Sequence, residues 1–186
     1  MADWAQKETA EKALGSTLSR TVDFLKFAET KNAALLTFAS AWFLALANLI
    51  EGDRISDRGS RIAIAVALLL FAFATLIALY SFLPKLRLNR FFRDPHNNKS
   101  LLYFNDIAKF EPSAYSQHFR ERYANDPEQS ISDAYLHDLA VQVSANSSIT
   151  RRKFLIFNIG AAFVMLALAV LTIRGAFLIY EHLLSK

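Results

Sequence analysis

The sequence predicts an all-α integral membrane protein with about three transmembrane helices and a small cytoplasmic helical bundle between the second and the third. Two observations carry that prediction. Hydrophobic residues make up 53% of the 186-residue chain although 20% of it is charged, so the two kinds must be segregated in blocks. The apolar residues fall in three long uncharged runs rather than at amphipathic spacing, which argues against a water-soluble core.

Residues 1–31 read as a cytoplasmic amphipathic helix. Leu14, Leu18, Val22, Leu25 and Ala28 recur at steps of three and four on one face, and Glu8, Glu11, Lys12, Lys26 and Lys31 lie mostly elsewhere around the wheel. No loop signal separates Thr21 from Asn48, so this helix should feed straight into the first span. Its stripe needs cover from another helix, a neighbouring subunit or the membrane interface. Transmembrane helix 1 is placed at 32–50, and the eighteen residues AALLTFASAWFLALANLI from Ala33 to Ile50 span ~27 Å, enough for the hydrocarbon layer. About thirty charged and polar residues precede it and no small-residue cleavage pattern follows, so it reads as a retained anchor and not as a signal peptide.

An outer loop at 51–61 leads to transmembrane helix 2 at 62–84, whose run IAIAVALLLFAFATLIALYSFL ends at Pro84, a residue that cannot continue a helix without losing a hydrogen bond. Transmembrane helix 3 is placed at 154–173, FLIFNIGAAFVMLALAVLTI, behind Arg151, Arg152 and Lys153. Arg174 and GAFLIY open a C-terminal tail at 174–186, and Arg174 is expected to snorkel to the interface from one continuous helix. Small residues in the second and third spans, Ala63, Ala67, Ala74, Ala78, Gly160 and Ala161, permit close helix contacts.

The insert at 85–153 reads as a cytoplasmic helical domain in three parts. Residues 85–100 are basic and then turn-forming at Asp94-Pro95 and Asn97-Asn98, a connector. From Leu101 to Tyr123 an aromatic and apolar series, which includes Leu102, Phe104, Phe110, Tyr115 and Phe119, is interleaved with charge and split by Pro112 into two short helices. After the turn at Asn125-Asp126-Pro127, Ser132 is a plausible N-cap of a long helix that runs into the third span, with Tyr135, Leu136, Leu139 and Val143 on its inner face.

Positive charge near span ends tends to stay cytoplasmic. With the N-terminus inside, the cytoplasmic flanks hold Arg20, Lys26, Lys31, Lys85, Arg87, Arg90, Arg93, Lys99, Arg151, Arg152 and Lys153, and the outer flanks hold Arg54, Arg58, Arg61, Arg174 and Lys186. Eleven against five favours a multi-pass protein of the inner membrane with its N-terminus and 85–153 in the cytoplasm. The net charge of +4 has a default meaning of topology and attraction to anionic lipid, not of nucleic acid polymer.

The absence of cysteine removes disulfides, thiolate metal sites and thiol nucleophiles together. His137-Asp138 suggests a metal pair, but His96, His118 and His182 lie in unrelated contexts, and no metal or other cofactor is expected. Neither a nucleophile elbow nor a glycine-rich phosphate loop is present, so an enzyme is not expected. What a plain bundle would not require is its polar chemistry. Tyr103, Phe104, Asn105 and Asp106 stand together, and Gln142, Asn146, Ser147 and Ser148 form a polar patch just before Arg151 and Arg152. Aromatic planes, amides and guanidinium groups can hold a nucleobase and a phosphate, which makes Tyr103, Asp106, Gln142, Asn146, Arg151 and Arg152 candidate nucleotide-binding residues. On residue types alone the competing reading has Asp106 paired with a nearby Lys or Arg, Gln142 and Asn146 satisfying one another across the bundle, and Arg151 and Arg152 as topology anchors.

KFAETKNAALLTFASAW ahead of and within the first span, LLYFNDIAKF after the second and DLAVQVSANSSITRRKF before the last resemble the pattern of the Pycsar transmembrane effector family over most of residues 25–175. Members resemble this chain in an aspartate-or-threonine-x-lysine approach to the first helix, where this chain has Glu29-Thr30-Lys31, in a Tyr-Phe-x-Asp-Ile segment, and in an Asp-Leu-x-x-Gln helix that ends in Lys. The resemblance implies an antiphage system, in which a cognate cyclase senses infection and makes a cyclic pyrimidine mononucleotide, and the effector then impairs the inner membrane and arrests growth. Related cyclic-oligonucleotide systems use similar membrane effectors, which leaves ligand size open. Three spans are too few for a private pore, so a homo-oligomer in the lipid bilayer is expected. The alternatives are a membrane scaffold or regulatory subunit without a small-molecule ligand, and a small transporter or channel. A transporter should carry an ionisable group in mid-membrane, whereas here Thr75 and Asn158 are the strongest polar residues near span interiors.

Overall fold

A computed structural model describes residues 2–51, 57–83, 101, 102, 107, 110–123 and 132–185. The protein is all-helical, with no strand among the described residues. Helix α1 spans Ala2–Glu51, α2 Arg58–Phe82, α3 Pro112–Tyr123 and α4 Asp133–Leu184. Three of them, α1, α2 and α4, are long and apolar enough to cross a membrane. The described residues fall into two compact units, one drawn from Met1–Lys26 and Lys85–Thr150 and the other from Phe27–Pro84 and Arg151–Lys186.

Helix α1 runs unbroken from its amphipathic half into its apolar half, because no proline interrupts it. Its hydroxyls bond inward: Thr9, Thr17, Thr21 and Thr37 each donate to the carbonyl four residues back, at 2.8 to 3.1 Å. Thr21 is buried, and Leu14, Leu18, Val22 and Leu25 are half-buried, so the amphipathic stripe is covered by the chain itself. The cap of α2 is Asp57, whose carboxylate accepts from the Ser60 backbone N–H at 2.7 Å. Pro112 opens α3 in the first turn, where its missing N–H removes no helical bond. Ser132 caps α4 as expected, its hydroxyl oxygen accepting from the Tyr135 N–H at 3.2 Å.

In the span unit, one seam joins the three long helices. Leu35, Ala39 and Leu46 of α1 meet Ile64, Ala67, Phe71, Ala74 and Ala78 of α2 and Val164 and Ala167 of α4, all buried. Trp42 stacks on Phe71 with ring centroids 5.9 Å apart and planes at 7°. Apolar faces gain little by hiding from lipid tails, so close packing of small residues supplies the attraction. Gly160 marks the tightest approach: a Cβ there would stand 2.7 Å from Leu35 Cδ2. The small residues therefore serve contacts within one chain. Large apolar side chains point outward instead, with Leu76 61%, Met165 71% and Ile173 70% exposed, the pattern of a lipid-facing surface.

At the other end of α4, Arg174 does not snorkel free. Its guanidinium pairs with the Asp57 carboxylate that caps α2, and its Nε donates to Ser60 Oγ at 3.2 Å.

Candidate functional site

In the unit drawn from Met1–Lys26 and Lys85–Thr150, α3 is dressed with rings. Phe110 faces His118 at 5.5 Å, Tyr115 faces Phe119 at 5.8 Å, and Phe119 meets Tyr123 edge-on at 4.8 Å. Tyr123 in turn meets Tyr135 of α4 edge-on at 5.7 Å. Among these rings sits a buried charge, Asp138, 3% exposed. Arg122 Nη2 donates to its Oδ1 at 3.1 Å, and the Tyr123 hydroxyl donates to its Oδ2. Burial first, then the hydrogen bond to Asp138, pushes the Tyr123 hydroxyl well above the usual tyrosine range. Tyr115 donates to the Leu101 carbonyl at 3.0 Å, and Lys7 of α1 pairs with Asp133 of α4 at 3.0 Å.

Asp138 was within reach of sequence reasoning, which weighed it only as a metal partner of His137. The signal was an acid one position before the inner-face Leu139, with Arg122-Tyr123 at the end of the aromatic series. His137 is exposed, and no group of His and carboxylates that could hold a metal ion exists among the described residues.

Of the nucleotide candidates, Tyr103 and Asp106 lie outside the described residues. Gln142 and Asn146 stand one turn apart on α4, both half-buried, and no hydrogen bond joins them. Arg151 and Arg152 follow on the same helix but belong to the span unit. Arg151 is exposed, whereas Arg152 lies over the Tyr80 ring at 5.4 Å.

A polar layer that sequence reading missed crosses the span unit where the spans begin. Asn32 of α1 is fully buried, its amide donating to the Ala28 carbonyl at 2.8 Å and the Lys153 carbonyl at 3.1 Å. Lys153 of α4 reaches Glu29 of α1 at 3.1 Å and the Ser81 carbonyl of α2 at 3.3 Å, so one side chain ties three helices. Asn32 Oδ1 and Ser81 Oγ are buried without a hydrogen-bond partner, which makes the layer costly to keep and polar enough to rearrange.

A family model, the Pycsar effector protein domain, matches residues 13–180. This chain belongs to the Pycsar effector family. It is 36% identical over 155 residues to the Pycsar effector protein RsPycTM of a Rhizobium species, a match covering 83% of this chain and 88% of that relative. No solved structure matches. The matched stretch takes in the aromatic α3, the buried Asp138, the polar layer and all three apolar runs of this Pycsar effector. An antiphage membrane effector is thus the role its family and its three apolar helices support together.

Proposed function

We propose that this Pycsar effector is switched on by a cyclic nucleotide, a cyclic pyrimidine mononucleotide first among candidates, and then impairs the bacterial inner membrane and arrests growth. The N-terminus and residues 85–153 face the cytoplasm, where a cognate cyclase supplies the ligand. Tyr103, Asp106, Gln142, Asn146, Arg151 and Arg152 hold it, the ring against the base, the amides on its edge and the guanidinium groups on the phosphate. The observation that carries this reading is that α1 and α4 each run without a break from the polar unit into the spans, in a chain of the Pycsar effector family. A ligand that favours one arrangement of such helices acts on span packing through covalent structure rather than through a flexible linker. Moving that equilibrium from 1:99 to 99:1 needs a preference of ~10⁴, about 5.5 kcal/mol, which a few charge-assisted hydrogen bonds to phosphate can supply. The active form is a homo-oligomer, because three spans cannot enclose a pore alone.

The test is a thermal shift of the detergent-purified chain against cyclic mononucleotides and cyclic dinucleotides, followed by dye leakage from liposomes with any hit. One nucleotide should stabilise the chain and cause leakage only when present. Absence of a shift across the panel would overturn the reading in favour of a scaffold that answers to a protein partner. Replacing Arg151 and Arg152 by Lys keeps the charge but removes bidentate recognition, and unchanged affinity would dismiss their role.

A further inference from the structure

Near the start of the spans, the basic residues of the span unit are mostly spoken for. Lys153 has Glu29 and the Ser81 carbonyl, and Arg152 has the Tyr80 ring. Lys31 differs. Its ammonium lies 4.7 Å from the ring centroid of Phe27, 5.2 Å from Phe157 and 5.9 Å from Phe154, and no carboxylate pairs with it among the described residues. Phe27 and Phe154 form a tilted pair at 6.2 Å, so α1 and α4 build one aromatic cradle around a half-buried cation. Ring faces orient an ammonium but leave its formal charge unneutralised.

On α4, Asn158 follows Phe154 by four residues and so shares its face, one residue beyond Phe157. Its side chain is exposed and makes no hydrogen bond among the described residues. An unpaired amide on the exposed, apolar side of a span is costly unless something polar reaches it. It stands five residues past Lys153, about 8 Å deeper along the helix. The order is thus an uncompensated cation at the membrane edge, rings beside it, and an amide donor and acceptor a short way further in.

We infer that Lys31, with Phe27, Phe154, Phe157 and Asn158, forms a binding site for one anionic phospholipid. The headgroup phosphate oxygen accepts from the Lys31 ammonium, the Asn158 amide donates to a glycerol-ester carbonyl, and the acyl chains lie on the exposed apolar surface of α4. A free phosphate would satisfy Lys31 equally well. Asn158 favours the lipid, because it stands on the exposed side of α4, beside apolar residues on which acyl chains would lie. The inference is independent of the nucleotide reading, since neither Lys31 nor Asn158 is among the residues proposed to hold a nucleotide.

The experiment titrates the delipidated full-length chain in detergent with dihexanoyl phosphatidylglycerol, dihexanoyl phosphatidylcholine and inorganic phosphate, following thermal shift and native mass. Phosphatidylglycerol should bind and stabilise, with the other two weaker by at least about fivefold, the worth of one lysine near an anionic surface. Lys31→Met, which keeps the stem across the rings, should lose about fivefold in phosphatidylglycerol affinity, and Lys31→Arg should retain most of it. Lys12→Met, a charge removed from the exposed Glu8 pair, should bind as the parent does. Asn158→Leu places an apolar residue on an exposed position and should fold, yet bind phosphatidylglycerol more weakly. Equal binding of phosphatidylcholine or of inorganic phosphate would overturn the site, as would Asn158→Leu changing the oligomeric state with lipid affinity intact. If Lys31→Met fails to fold, the Asn158→Leu titration decides alone.

Discussion

Substituting Asp138→Asn removes a charge from a position whose side chain is 4% exposed and keeps its shape. Breaking one partner of a buried ion pair costs about 3 to 5 kcal/mol, because the other charge is left without compensation. Two features here lower that figure. The Arg122 side chain retains 20% exposure and can recover some hydration, and the amide oxygen still accepts from the Tyr123 hydroxyl. About 2 kcal/mol remains, and it falls on the contact between α3 and α4. Hydrogen exchange of α3 amides is the assay, since it reads local opening without requiring both units to unfold together. At 1.4 kcal/mol per decade, 2 kcal/mol is about a 30-fold faster exchange through local opening. A change under about threefold would refute the idea that Asp138 docks α3. The apolar triple variant Arg122→Met, Tyr123→Phe, Asp138→Leu should protect α3 better than Asp138→Asn does, because no polar group is stranded.

The span seam should tolerate Gly160→Ala within about 1 kcal/mol, since the new methyl meets the far end of the Leu35 side chain at 2.7 Å while alanine gains helix propensity. Gly160→Leu should cost about 1 to 3 kcal/mol by overpacking, and thermal unfolding in detergent that treats the two alike would contradict the close approach. Tyrosinate absorbance, compared between the parent and Tyr123→Phe, should place the ionisation of Tyr123 above the ordinary tyrosine range. Because the Tyr123 proton is held more tightly in the folded state, its stabilising contribution is complete below about pH 10 and is lost as pH rises beyond it. In Asp138→Asn the Tyr123 titration should move down toward the ordinary tyrosine range.

The long helices were legible because bilayer thickness and chain composition constrain them directly. Eighteen uncharged residues from Ala33 to Ile50 and a proline after Leu83 leave few alternatives. The Ser132 cap and the stripe through Leu14 and Leu25 followed from local hydrogen bonding and periodicity, which a single segment contains. The polar contacts did not, because each depends on a partner far along the chain. Nothing near Asn32 announces that Lys153 offers it a carbonyl, and Arg174 looked like a free interfacial cation until Asp57, 117 positions earlier, met it. The small residues are a related case. Ala74 and Ala78 announce close helix contacts, and their neighbours are the other two spans of the same chain, so enlarging them tests internal packing before it tests assembly.

The clasp between Arg174 and Asp57 also loosens the limit on where a membrane can end. Helix α4 continues from Arg174 to Leu184, about 15 Å beyond the level at which α2 begins, and Phe177, Ile179 and Tyr180 there are half exposed or more. An opposed pair of charges held together bears no net charge, so it does not force the bilayer surface to stop at Arg174. A bilayer that met one side of the protein at the first turn of α2 and another near Tyr180 and Glu181 would have to stretch its lipids or tilt α4 to join the two edges, at a fraction of a kcal/mol per Å. Neighbouring copies that share one such step in thickness deform less lipid than copies standing apart. In an assembly of such copies the bilayer itself would supply part of the attraction, with no protein contact required.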